Sequence, residues 1–429
     1  MDGGKQQHGR RSHRVLCALR RQSMRVFTIR CKAIVLSFVI VLVVACSGVP
    51  TRVQSDDDLS HRLQALLQSN RHRYGVAGQA LLVMHDGKLL FRGVDGDATI
   101  DPRKTVSTDS IFPAFSISKL FVSTLILQLV DQGNVDFDRP ASDYLPGLPK
   151  TWKTITVRDF LDHTSGVPEY FATREGDMSS DTAFPPDLTA VFASLSDTPL
   201  QFTPGTQTRY TQTNYLVLSA LLATHYGKPY PQVAQEHIIR PLALRHTWLG
   251  PAGVPTDTEV TAYTANHGTL RPDKSIAWPS YAYGHAELYT TMDDLARFMQ
   301  AVASGQFAGK DTLVRLWQPR ELSTGERGWF ASGWDYGENH GYREVGHDGG
   351  ARSRVRMLFK DSLDSDTYLI VYLTNGSAKD VWSRTLVESV EGVVLSTAAC
   401  RAFSSGEATD PIGRWAGAPA SLTRDRTCP

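Results

Sequence analysis

The 429-residue chain has only five cysteines and no apolar run long enough to cross a bilayer comfortably. Neither sign of charge dominates, with 45 Lys/Arg against 44 Asp/Glu, so the basic footprint of a nucleic-acid binder is missing. GxSxG, HExxH, Walker-type phosphate loops and Cys/His groups with metal-ligand spacing are all absent. The chemistries those motifs serve therefore have no support, and neither a metal nor a cofactor is expected. There is no internal repeat to suggest a solenoid.

The balanced charge conceals an asymmetry. Residues 1–45 hold nine Lys/Arg and one acid, a net of +8, and the remainder has a net of −7. The basic leader runs into Ala33–Ala45, an apolar stretch with the size of a signal-peptide core. Val43-Val44-Ala45-Cys46 resembles a bacterial lipobox, in which Cys46 is lipidated and becomes the first mature residue. A short anchor or an ordinary signal peptide is the alternative, and Met24 is an alternative start. Ser47 after Cys46 favours the outer membrane of a Gram-negative host. The expected location is thus the cell envelope, facing the periplasm through a lipid anchor. Of the other cysteines, Cys17 and Cys31 lie in the leader. Cys400 and Cys428 form an even pair in an oxidising compartment, read as a bridge closing the tail or else as two free thiols.

Chemistry enters at Phe115-Ser116-Ile117-Ser118-Lys119. Pro113 biases Phe112 toward extended backbone. Beyond Lys119, Leu120 to Val130 is apolar almost all round, the pattern of a helix buried on every side, and Gly133 stops it. Ser116 and Lys119, three residues apart, face the same way. An amine driven into an apolar core at the positive end of a helix loses its proton easily, so the pair reads as nucleophile and base.

The sequence divides into a signal peptide (1–45), a tether (46–58), a main domain (59–398) and a tail (399–429). Leu59, Leu63, Leu66 and Leu67 make one helical face behind Asp56-Asp57-Asp58. Gly78–His85 and Lys88–Val94 alternate around Asp86-Gly87, a strong hairpin signal. Residues 135–255 read as short helices and loops. Strand character returns at Arg354–Phe359 and Thr367–Thr374, and Asp380–Leu395 reads as a closing helix. The predicted class is α+β: an antiparallel β-sheet assembled from both ends of the chain and flanked by helices, with an all-helical lobe inserted.

Two further clusters follow: Arg209-Tyr210-Thr211-Gln212-Thr213-Asn214-Tyr215, and Gly346-His347-Asp348-Gly349-Gly350. With Ser116-x-x-Lys119, in this order and spacing, they are similar to the serine β-lactamase and penicillin-binding-protein-like family. Its class C-like enzymes, D-alanyl-D-alanine carboxypeptidases and related esterases are the nearest in kind. Leu161-Asp162-His163-Thr164-Ser165-Gly166-Val167-Pro168 and Leu373-Thr374-Asn375 support the resemblance, which covers roughly residues 59–395. It implies Ser116 as acyl-accepting nucleophile, Lys119 as its proton acceptor and Tyr210 as proton relay. It also implies His347 in the third motif, Gly349 allowing close substrate approach, and the N–H groups of Ser116 and Gly350 as oxyanion hole. The substrate would be a peptidoglycan-like peptide, a β-lactam or an ester.

Two departures stand out. Gln212 replaces the family's usual asparagine, keeping the amide on a longer arm. His347 stands where many members have lysine, and is neutral near pH 7 unless Asp348 raises its pKa. Arg352 or Arg354 is the expected substitute cation for a substrate carboxylate. Nearby cations such as Lys119 are expected to loosen the Tyr210 proton. His163 reads as a structural hydrogen-bonder. A second functional class, a penicillin-binding or sensor protein that acylates but hardly turns over, fits the same residues.

Overall fold

Asp86 and Gly87 both take positive φ (47° and 74°), the primed turn that matches the twist of a hairpin. It joins β1 (Gly78–His85) to β2 (Lys88–Thr99), which runs five residues further than the apolar pattern indicates. Pairing continues past Val94 because Gly96 lies opposite Gly78, where an added Cβ would meet Ala77 O at 2.3 Å. The computed structural model describes residues 56–171, 184–273 and 276–405. The leader, Cys46, most of the tether, Cys428 and the Cys400 side chain lie outside the described residues.

Helix α1 (Asp56–Tyr74) precedes the hairpin, and its first turn contains the aspartates read from sequence as a preceding cap. After β3 (Lys104–Thr105) the chain leaves the sheet and returns as β4 (Phe330–Ala331), β5 (Trp334–Asn339), β6 (Tyr342–Asp348), β7 (Arg354–Phe359) and β8 (Tyr368–Thr374). The strands lie in the order β3-β2-β1-β8-β7-β6-β5-β4, antiparallel throughout. N-terminal β1 pairs with C-terminal β8, so the sheet is built from both ends of the chain.

Strand alternation divides the core. Leu81 and Val83 of β1 and Ile370 of β8 meet Leu59, Leu63 and Leu67 of α1 and Val387, Val390 and Val394 of the closing helix (Ser383–Ser405). That helix extends ten residues beyond its expected end, through residues assigned to the tail. On the other face, Ala80, Leu82, Val355 and Val371 belong to the larger core with the inserted helices. Each fully buried Leu or Val there contributes about 1.5–3 kcal/mol.

The insertion supplies α2 (Lys119–Asp131), α3 (Val157–Leu161), α4 (Gln212–Tyr226) and α5 (Met292–Ala303). Residues Lys119 to Leu127 of α2 are all buried, as the apolar run predicts. Thr156 and Asp159 form a capping box at α3. Helix α4 ends at Gly227 in the left-handed region. A small sheet of Phe112–Pro113, Leu288–Thr290 and Trp248–Leu249 was not legible, since runs of two or three residues carry no periodicity. Among the described residues no helix is long and apolar enough to cross a membrane.

Asn375 fastens the ends of this arrangement. Its Oδ1 accepts from Gly78 N at 2.6 Å, and Nδ2 donates to Asp97 O, Ala98 O and Thr261 O at 3.0, 3.3 and 3.1 Å. Asn375→Ala strands buried main-chain groups that each cost ~1–3 kcal/mol unpaired, so a loss of about 3 kcal/mol is expected in urea unfolding, with the urea slope unchanged. A loss under about 0.5 kcal/mol, the size of an ordinary surface change, would remove this role from Asn375.

Candidate active site

Phe115 has φ of 50°, a conformation that side-chain-bearing residues rarely adopt, and it turns the chain into a 3₁₀ turn over Phe115–Ser118. Residues i and i+3 eclipse in such a turn, so Ser116 stands directly by Lys119, the first residue of α2. Lys119 is fully buried. Its Nζ donates to Gln212 Oε1 and to the His285 carbonyl, both at 2.7 Å, and lies 3.3 Å from Ser116 Oγ. Burial holds its pKa well below the ordinary amine value, against the opposing pull of Glu169. A neutral amine has two N–H groups and one lone pair. With both N–H groups engaged by carbonyl oxygens, the lone pair is left for the Ser116 hydroxyl proton.

The Lys119 nitrogen lies 4.9 Å from the centroid of the Tyr210 ring. Tyr210 keeps 38% of its surface exposed, yet the phenol is not loosened as expected: desolvation by the surrounding protein raises its pKa, outweighing the lowering by Ser116 and Gln212. Tyr210 is therefore a protonated phenol at neutral pH. Gln212 gives its oxygen to Lys119 and turns its amide N–H side toward Tyr210.

His347 is buried, and the Tyr210 ring centroid lies 6.0 Å from its own. Its Nδ1–H donates to the Asp348 carbonyl at 2.7 Å, which leaves Nε2 as an acceptor, buried and without a protein partner among the described residues. Burial, aided by Lys119, pushes the imidazole down to about 3. His347 is therefore neutral near pH 7, as read from sequence, and the raising effect of Asp348 is outweighed by burial. On a strand, adjacent side chains leave by opposite faces. The Asp348 carboxylate goes to Arg354 Nη1 at 2.6 Å, Arg356 Nη2 at 2.8 Å and Ser383 Oγ at 2.5 Å. Burial opposes its ionisation, but Arg356 and Arg354 prevail and hold its pKa at about 2.

Gly349 N donates to Ser353 O at 2.8 Å, and Ser353 N to Gly350 O at 3.2 Å. This turn presses on the nucleophile segment. A Cβ on Gly349 would meet Ala114 O at 2.5 Å, and one on Gly350 would meet the Phe115 ring at 2.8 Å. The backbones of Ser116 and Gly350 thereby belong to adjoining turns. Arg352, expected to hold substrate, instead pairs with Asp380 at 3.0 Å. Arg354, the other expected substitute, is engaged by Asp348.

The structure brings in residues that motif reading did not assign to the site. The His285 carbonyl accepts from Lys119, and the Glu169 carboxylate accepts from Gln212 N at 2.9 Å. A main-chain acceptor has no side-chain signature to search for. His163 accepts at Nδ1 from Thr211 N and Asn214 Nδ2 at 3.3 and 2.8 Å, a hydrogen-bonder in its loop as expected. Among the described residues no cluster of His, Cys, Asp or Glu is arranged to hold a metal. A cavity of about 810 Å³, lined in part by Trp329, Tyr336, Asp348, Arg354 and Trp382, does not include Ser116, Lys119 or Tyr210. Its charges pair among themselves, Arg327 with Glu338 and Arg354 with Asp348, so the chemistry lies elsewhere.

A family model described as Beta-lactamase matches residues 63–385. "Putative penicillin-binding protein PbpX" of Bacillus subtilis is 28% identical over 274 residues, covering 62% of this chain and 65% of that protein. "D-alanyl-D-alanine-carboxypeptidase/endopeptidase AmpH" of Escherichia coli is 29% identical over 243 residues, covering 54% of this chain and 59% of that one. The matched stretch thus spans about three fifths of these relatives' lengths. Among solved structures, "EstCE1, a hydrolase with promiscuous acyltransferase activity" superposes with a TM-score of 0.64 at 20% identity, over 79% of this chain and 99% of that one.

The state of Lys119 is open to measurement. Below the ordinary amine value of 10.5 the unfolded chain carries an ammonium at this position, whereas the folded chain holds a neutral amine. The unfolded state binds the extra proton, so the contribution of Lys119 to stability rises with pH. In urea unfolding, the wild type should gain up to about 1.4 kcal/mol per pH unit on Lys119→Met as pH rises toward the ordinary amine value of 10.5. A flat difference would mean that the ammonium survives folding.

Proposed function

The chain belongs to the beta-lactamase family, and we propose that it is a serine hydrolase working through an acyl-enzyme on uncharged esters and amides. The observation that carries this is the dry Lys119 amine, with both N–H groups engaged and its remaining direction on Ser116 Oγ. Ser116 Oγ bonds to the substrate carbonyl carbon as its proton passes to Lys119 Nζ. The developing oxyanion is received by the N–H groups of Ser116 and Gly350. The bond to the leaving nitrogen or oxygen then breaks, and the leaving group takes a proton through the Tyr210 hydroxyl. With its pKa raised, Tyr210 serves by handing on one proton as it gains another, and no phenolate is needed. Water then attacks the acyl carbon by the same route reversed, and Ser116 recovers its proton.

The third motif supports the substrate class. His347 is held neutral, Arg354 and Arg356 are buried against Asp348 and Asp335, and Arg352 makes an exposed pair with Asp380. No unpaired cation stands on β6, on the turn after it or on its neighbours β5 and β7 near His347. A substrate carboxylate brought there would be desolvated without a partner, which selects against free C-terminal acids.

Ser116→Ala should abolish fluorophosphonate labelling and p-nitrophenyl ester turnover; unchanged labelling would falsify the assignment. Given a D-Ala-D-Ala peptide as its free acid and as its C-terminal amide, the enzyme should favour the amide by about tenfold or more in kcat/KM, one unpaired charge being worth at least ~1.4 kcal/mol. Preference for the free acid would overturn the substrate class, and a single acylation lasting hours would replace turnover with penicillin binding.

We place the protein, as part of the same proposal, at a bacterial envelope through a lipid on Cys46. The support is the basic leader, its short apolar core and the lipobox-like sequence. Metabolic labelling with a palmitate analogue should tag the wild type and not Cys46→Ser, and an unlabelled wild type would exclude the lipid.

A further inference from the structure

The two acceptors that orient Lys119 come from distant parts of the chain, Gln212 at the start of α4 and the carbonyl of His285 in the turn Tyr283–Ala286. Each is held in turn by one of two consecutive residues in the loop after α3. The Glu169 carboxylate accepts from Gln212 N at 2.9 Å and from the hydroxyls of Thr211 and Thr213, both at 3.1 Å. Thr211, the N-cap residue of α4, makes no side-chain cap of its own, so Glu169 caps that helix from outside. The neighbouring Tyr170 sets its hydroxyl 3.0 Å from His285 Nε2, with its ring edge-on to Phe171 and to the His285 ring. Glu169 thus holds the backbone of the residue whose side chain accepts from Lys119, and Tyr170 holds the side chain of the residue whose carbonyl does.

We propose that Glu169 and Tyr170 form a bracket of positioning residues that fixes both hydrogen-bond acceptors of Lys119 and so aims its lone pair at Ser116. The inference rests on Lys119 being the proton acceptor. Neither residue is asked to touch substrate. The groups facing Lys119 are Ser116 from its own turn, Tyr210, Gln212 and Tyr215 from the second motif and α4, His163 and Glu169 from the loop after α3, His285, and His347 from β6. Glu169 is the one carboxylate among them. Its charge favours the ammonium, so removing the charge lowers the pKa of Lys119 further.

The test is the pH profile of kcat/KM for a neutral p-nitrophenyl ester, on the full-length protein. Glu169→Gln should move the acid limb to lower pH and lower the plateau by about 10- to 100-fold, as a slightly misaimed base does. Glu169→Asp should return the limb to its wild-type position with a partial recovery of the plateau. Tyr170→Phe keeps the ring and its packing, and should lower kcat by about tenfold with KM unchanged. Because both residues act through one amine, the loss in the double variant should fall short of the product of the single losses. A lower plateau with an unmoved limb in Glu169→Gln, multiplicative losses in the double variant, or wild-type kinetics in both single variants would each overturn the bracket. Should Glu169→Gln fail to fold, Tyr170→Phe decides alone: kcat unchanged, or a rise in KM in place of the fall in kcat, overturns it. Activity surviving in Ser116→Ala or Lys119→Met would instead count against the proton-acceptor reading itself, which separates the two failures.

Discussion

A primary amine buried where no water reaches it is costly as a cation, and the architecture of this protein follows from keeping one there. Lys119 opens a helix whose neighbouring residues are all buried, so charge on Nζ has no solvent to retreat to. The two oxygens that receive its N–H groups satisfy the neutral amine without supplying a full counter-charge. A carboxylate in direct contact would have held the proton in place. Glu169 is kept one step away, bonded to the Gln212 backbone and to Thr211 and Thr213. The same burial that disfavours the ammonium lowers the basicity of the amine, and what it supplies in exchange is an unprotonated lone pair ready to take the proton of an adjacent hydroxyl.

The sheet separates this dry site from a region of dense charge. His347 and Asp348 are neighbours in sequence, yet alternation sends them to opposite faces. On the far face Asp348 joins Arg354, Arg356, Asp335 and Glu344, with Ser383 from the closing helix. Arg356 is 1% exposed and Arg354 4%, so their charges depend on these partners alone. Glycine at 346 belongs to this arrangement: a Cβ there would meet Val355 O at 1.9 Å and the Arg356 guanidinium at 2.8 Å. The cluster anchors the end of β6, and through it the turn that carries Gly349 and Gly350 against Ala114 and Phe115.

What could be read from sequence was what sequence keeps local. The hairpin at Asp86-Gly87, the buried helix after Lys119 and the Ser116–Lys119 pair each depend on residues a few positions apart. The lobe and the two-ended sheet followed from the order of strand-like and helix-like runs. Arg352 was misread because the aspartate that takes it stands 28 positions away. The neutrality of His347 was legible, and strand alternation, which sends the adjacent Asp348 to the other face, adds the reason Asp348 does not charge it. For Tyr210 the sequence offered only the nearby amine, and the fold supplies the larger effect, desolvation, which raises its pKa. Glu169 and His285 lay beyond reach for a different reason: one acts by capping a helix 43 positions on, the other through a main-chain oxygen.

The neutrality of His347 and that of Lys119 belong to one electrostatic choice. A permanent cation in the third motif, some 6 Å from Tyr210 and facing the same buried space, would favour ionisation of the phenol and further disfavour the lysine ammonium that forms during attack. With a neutral imidazole there, the proposed proton traffic involves only Ser116, Lys119 and Tyr210, and Nε2 stays a buried acceptor without a partner among the described residues. On the proposed reading, the departure from lysine leaves the Ser116–Lys119 pair unaltered, because His347 stands on β6 while the pair stands on the turn that opens α2.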